Sequence, residues 1–142
     1  MKKLASHAWS ADFSADLYGI NNWGAGYFGV SEKGEVTVTT KATDGSPIQV
    51  SMIDLVTEIK ERGMDMPVLL RFENLLAQQI IKLNEAFNRA ITKDGYQAPY
   101  RGVFPVKVNQ QSHVIQEIAQ VGAKYGHGLE AGSKPELLIA LT

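Results

Sequence analysis

The feature that most constrains this chain is an alternation of two kinds of segment after residue 50. Short β-prone apolar runs are separated by stretches with apolar residues at helical spacing. Ser51 stands as an N-cap with Asp54 three residues on, Met52, Ile53, Val56 and Ile59 follow at helical spacing, and Gly63 offers a stop. Residues 67–72, Pro-Val-Leu-Leu-Arg-Phe, are a short buried-strand candidate. A long amphipathic helix is expected over 73–92, with Leu76, Ile80, Leu83, Phe87 and Ala90 on one stripe. Residues 102–109, Gly-Val-Phe-Pro-Val-Lys-Val-Asn, predict a strand. Ser112 then caps a helix with Val114, Ile115, Ile118 and Ala119 on one face, stopped by Gly122. Residues 128–131 are the next strand, and Ser133 with Glu136 makes a capping box, Pro135 in its first turn, that opens another helix. Strands and helices in alternation imply parallel strands joined by crossover helices. The last helix has barely begun at Thr142, so the chain is expected to be a fragment that lacks most of its partner strands and is inactive alone.

The first 50 residues differ. Residues 9–29 are rich in aromatic residues and glycine and show no helical period. Tyr27–Val30 and Glu35–Thr40 flank a turn ending at Gly34, which predicts a β-hairpin. Residues 41–50, with Asp44-Gly45-Ser46-Pro47, read as a loop. The expected division is therefore an aromatic, glycine-rich segment with a hairpin over 1–50 and an α/β part over 51–142.

A formal net charge of -1 leaves no electrostatic footprint for nucleic acid or an anionic membrane. With no cysteine there is no disulfide, thiol nucleophile or Cys-based zinc site in this stretch. Ser6 and His7 interrupt the only candidate signal-peptide core, and no apolar run approaches the ~20 residues of a membrane span. A cytoplasmic location is expected.

Lys107 carries the most chemical information. It interrupts an apolar run, and strict alternation places it with Val103, Pro105 and Asn109 on one strand face. Lysine is seldom buried without a partner. Low dielectric disfavours the ammonium, and the free amine is what an imine to an aldehyde cofactor requires. The alternative is a strand-end lysine reaching solvent. Pro105 is an obstacle to a paired strand, since it lacks a backbone donor. His113 and His127 read as solvent-facing or turn residues, and three scattered histidines make no metal site. Residues 24–29, Gly-Ala-Gly-Tyr-Phe-Gly, spell a dinucleotide fingerprint but precede a hairpin strand instead of a helix, which excludes that reading. Residues 128–134 fail the spacing of a phosphate loop.

Four blocks, in order, resemble the biosynthetic arginine decarboxylases: residues 18–28, 67–72, 103–110 and 128–137. The lysine strand is more distantly similar to those of ornithine and diaminopimelate decarboxylases and alanine racemases. The resemblance implies the start of a (β/α)8 barrel that binds pyridoxal 5'-phosphate, with the N-terminal hairpin belonging to a β-domain. It implies Lys107 as the residue holding the cofactor through a Schiff base, and Glu130 as an acidic position near lysine and cofactor. Both are catalytic and cofactor-binding candidates. It further implies decarboxylation of L-arginine to agmatine, the opening step of polyamine synthesis, and a homo-oligomer, dimer or tetramer. Magnesium enters by resemblance alone. The family's phosphate site, pyridine-nitrogen carboxylate and proton donor fall outside these 142 residues. Two alternatives stand beside it: a related barrel decarboxylase for another basic or diamino acid, and a cofactor-free binding module in which Lys107 and Glu130 are ordinary strand residues.

Overall fold

A computed structural model describes residues 8–41 and 45–142. Its contacts divide the chain between Leu70 and Arg71 into two compact units.

In the first unit, helices α1 (Ala11–Leu17) and α2 (Ile20–Trp23) precede a three-stranded antiparallel sheet of β1 (Phe28–Val30), β2 (Val36–Lys41) and β3 (Pro47–Ser51). The helices fall in the stretch expected to be irregular. They are 7 and 4 residues long, too short to repeat an apolar period. Local chemistry holds them instead: Ser10 Oγ accepts from Phe13 N at 3.1 Å, and Gly19 takes a left-handed φ of 64° between them. The expected hairpin is present, with Val30 opposite Val36 and Phe28 opposite Val38. The loop expected over 41–50 is corrected, because β3 pairs with β2 from Lys41–Pro47 to Thr37–Ser51. Proline is tolerated as the first residue of a strand. Residues 42–44, including Asp44 of that loop, lie outside the described residues. The central strand is covered on both faces, with Val38 and Thr37 both buried.

Helix α3 (Met52–Glu61) packs on β2 and β3. Ser51 caps it as expected, accepting from Asp54 N at 3.4 Å, and Gly63 follows at φ 79°. Leu55, Val56 and Ile59 are half-buried, whereas Ile53 faces solvent. The strand expected at residues 67–72 does not form. The Met66–Pro67 bond is cis, and no strand pairs with this segment among the described residues.

The second unit begins with α4 (Glu73–Asp94), closed by Gly95 at φ 66°. Its buried line runs through Ile80 and Asn84, with Leu76 packed beside it, while Leu83 and Phe87 of the expected stripe are exposed. Strand β4 (Val103–Pro105), helix α5 (Ser112–Ala123) and strand β5 (Gly128–Glu130) form a parallel βαβ unit, as the alternation implied. Ile80, Val114 and Ile118 make the core, flanked by Phe104, Val121 and Leu129. Three details differ from expectation. The strand stops at Pro105, and Val106–Val108 form a 3-10 turn. Gln111, not Ser112, takes the N-cap position of α5. Gly122 lies within α5, and Gly126 at φ 62° makes the later turn. Helix α6 (Lys134–Leu141) follows β5, with Ser133 Oγ accepting from Glu136 N at 3.4 Å and Glu136 Oε2 accepting from Gly132 N at 2.6 Å. No described helix is long and apolar enough to cross a membrane.

Candidate functional site

Both sequence-predicted site residues stand at the C-terminal ends of the parallel pair. The ladder runs Val103–Gly128, Phe104–Leu129, Pro105–Glu130, and Pro105 with Glu130 is its last rung. Glu130 is half-buried there. Lys107 follows two residues beyond Pro105, in the middle of the 3-10 turn, against which α6 packs. In α/β sheets with this connectivity, ligands bind outside the carboxyl ends of the strands.

Of the two settings weighed for Lys107, buried on the strand or reaching solvent, the structure has the second. Lys107 is exposed, as are Val103 and Val108 at 58% and 67%. Pro105 has no N–H to continue a ladder, so the chain leaves the strand. A 3-10 turn repeats every three residues rather than every two, which points Val106 alone inward, at 0% exposure. The alternation argument therefore fails after Pro105. Among the described residues, the Lys107 side chain makes no hydrogen bond or ion pair. Its position is set by backbone alone.

Glu130 and Glu136 flank Gly132. A Cβ on Gly132 would lie 3.4 Å from Glu130 Oε1 and 3.5 Å from Glu136 Oε2. The absence of a side chain there leaves room for both carboxylates. No trio of His, Cys, Asp or Glu side chains among the described residues is arranged to hold a metal ion.

A second polar group stands at the opposite, N-terminal ends of the strands. His127, expected to face solvent or lie in a turn, follows the turn at Gly126, precedes β5 and is half-buried. Glycine makes its space. A Cβ on Gly102 would collide with the imidazole, and one on Gly122 would come 2.9 Å from His127 Cβ. Asn84, 1% exposed, donates from Nδ2 to Ile80 O at 2.8 Å and lies 3.4 Å from His127 Nδ1. Tyr100 stacks on Phe87 at 3.9 Å and 4° beside this group, which is how an otherwise exposed Phe87 is partly covered. In strand–helix folds the N-terminal face carries stability rather than chemistry. The sequence signal for this cluster was two glycines, Gly102 before β4 and Gly122 within α5, read as the start of a strand and as a helix stop.

Comparison with known proteins places the strand-end site in context. No protein-family model matches the chain. It is 46% identical over 133 residues to the biosynthetic arginine decarboxylase of Gloeobacter violaceus, covering 94% of this chain and 20% of that protein. It is 45% identical to that of Prochlorococcus marinus, over the same shares. Among solved structures it superposes on the biosynthetic arginine decarboxylase SpeA from Campylobacter jejuni with a TM-score of 0.77 and 36% identity, covering 87% of this chain and 20% of that one. The chain thus spans about a fifth of the length of the curated relatives it matches.

Proposed function

We propose that the protein carrying this chain, a member by sequence of the biosynthetic arginine decarboxylase family, removes the α-carboxylate of L-arginine to give agmatine. The observation that carries the reading is the identity of 42–46% along nearly the whole chain, combined with an exposed amine and a carboxylate at neighbouring strand ends. In this reading β4 and β5 are strands of a (β/α)8 barrel, the antiparallel sheet belongs to a β-domain, and the protein is a homo-oligomer.

The residues fit pyridoxal 5'-phosphate. Lys107 offers a primary amine free of competing partners, and Glu130 offers a carboxylate on the adjacent strand end. When bound, this cofactor supplies an electron sink for the carbon that loses carbon dioxide. Lys107 would anchor it beside the strand ends, from the 3-10 turn that follows Pro105. Glu130 supplies negative charge on the same side, where it biases protonation and orients its neighbours. No step is assigned to magnesium.

The test is turnover by the full-length protein. Release of carbon dioxide and agmatine from arginine, in preference to products from ornithine, lysine or diaminopimelate, is expected. Preference for another of these amino acids would reassign the substrate, and no decarboxylation of any would overturn the reading.

A further inference from the structure

We propose that Asn109 is a positioning residue for Lys107, and that its side chain acts by tying the turn on which Lys107 stands to the start of helix α5. The inference rests on the reading of Lys107 as the cofactor-holding amine and deepens it. Lys107 has no side-chain partner among the described residues, so the three residues Val106–Val108 alone determine where its amine begins. A 3-10 turn of this length is intrinsically weak, with strained hydrogen-bond geometry and few bonds. Two anchors compensate. Before Lys107, Pro105 fixes φ at -71° and Val106 is fully buried.

After Lys107, Asn109 does two things. Its backbone N donates to Val106 O at 3.2 Å, closing the turn. Its Oδ1 accepts from Gln111 N at 3.0 Å. Gln111 is the N-cap of α5 and its carbonyl accepts from Val114 N and Ile115 N at 2.9 and 3.1 Å. Val114, Ile115 and Ile118 are buried in the core. A continuous path thus runs from the α5 core through Gln111 and Asn109 to the turn. Without Oδ1 the side-chain tie between helix and turn is lost, and Lys107 gains freedom. Among the described residues no side chain bonds to the first-turn N–H groups of α5, so the Asn109 bond to Gln111 N is the side-chain tie at this end.

The test compares Asn109→Ala with Asn109→Ser in the full-length holoenzyme. Serine keeps an uncharged oxygen that bonds a backbone N–H two residues on, more weakly than asparagine, and alanine does not. Misplacing a reacting group by about 1 Å can cost on the order of 10²-fold in rate. Asn109→Ala is expected to lower kcat by tenfold or more with KM for arginine within about twofold, and to shift the pH profile of the cofactor's visible absorbance. Asn109→Ser is expected to recover most of both. Borohydride trapping on wild type and both variants identifies the labelled lysine. If the label is on Lys107 but Asn109→Ala keeps its kcat and its absorbance profile, losing only thermal stability, Asn109 is an ordinary cap and the proposal fails alone. The same holds if serine is as poor as alanine. A wild-type label on another lysine overturns both the proposal and the reading beneath it.

Discussion

Pro105 and Glu130 are the last paired residues of the β4–β5 ladder. One residue ends the strand because it cannot donate, and the other is the carboxylate opposite. The chain after Pro105 turns at once into the segment that bears Lys107. A proline that looked out of place in a paired strand is the device that stops pairing at the right point.

From this pairing follows an expectation for Glu130. Glu130→Gln keeps size and removes charge from a half-buried strand end. Stability should move by no more than about 0.5 kcal/mol. Turnover of arginine by the full-length protein should fall by about tenfold, equivalent to ~1.4 kcal/mol of transition-state stabilisation. Parallel unfolding and kinetic measurements check it. Normal turnover would make Glu130 structural.

Gly122 gives a prediction of opposite sign to helix propensity. Alanine in a helix interior ordinarily gains about 1 kcal/mol over glycine. Here its Cβ would stand 2.9 Å from His127 Cβ and 3.1 Å from His127 O, and crowding of this kind costs ~1–3 kcal/mol. Gly122→Ala should therefore destabilise, by denaturant unfolding of the full-length protein. A stabilised variant would mean that His127 is not packed there.

Legibility in the sequence depended on length and periodicity. The hairpin was readable because Phe28, Val30, Val36 and Val38 alternate around a glycine-ended turn. Helices α3 and α4 were readable because they are 10 and 22 residues long and end at Gly63 and Gly95. Helices α1 and α2 were too short for a period, and β3 begins with proline and carries Gln49, which pairs with Thr39 and donates from Nε2 to Thr37 Oγ1, a partner only the fold supplies. The positions of Lys107 and Glu130 at strand ends were legible. That Lys107 stands in a 3-10 turn was not, because alternation was carried past a proline. His127 and Asn84 were missed because an apolar stripe does not reveal which polar residue closes it.

The exposed surface of the 142 residues carries a further expectation. Leu138 and Leu141, one turn apart on α6, are 66% and 75% exposed, and Leu137 is half exposed. Covering each such side chain is worth ~1.5–3 kcal/mol, and contiguous apolar patches seek cover. The isolated chain should bind a hydrophobic dye and self-associate in sedimentation. Leu138→Lys with Leu141→Lys should reduce both. A monomer that binds no dye would show that α6 is covered in a way this structure does not contain.

The central claim is that Lys107 holds the cofactor, and one measurement meets it directly. The full-length protein, as purified with its cofactor, is reduced with borohydride, digested and mapped by mass spectrometry. The account predicts a single pyridoxyl adduct, on the peptide containing Lys107, and its absence from Lys107→Arg, whose guanidinium stays protonated and cannot make the bond. An adduct on Lys124, Lys134 or a lysine elsewhere, or no adduct in a protein that still decarboxylates arginine, would contradict it.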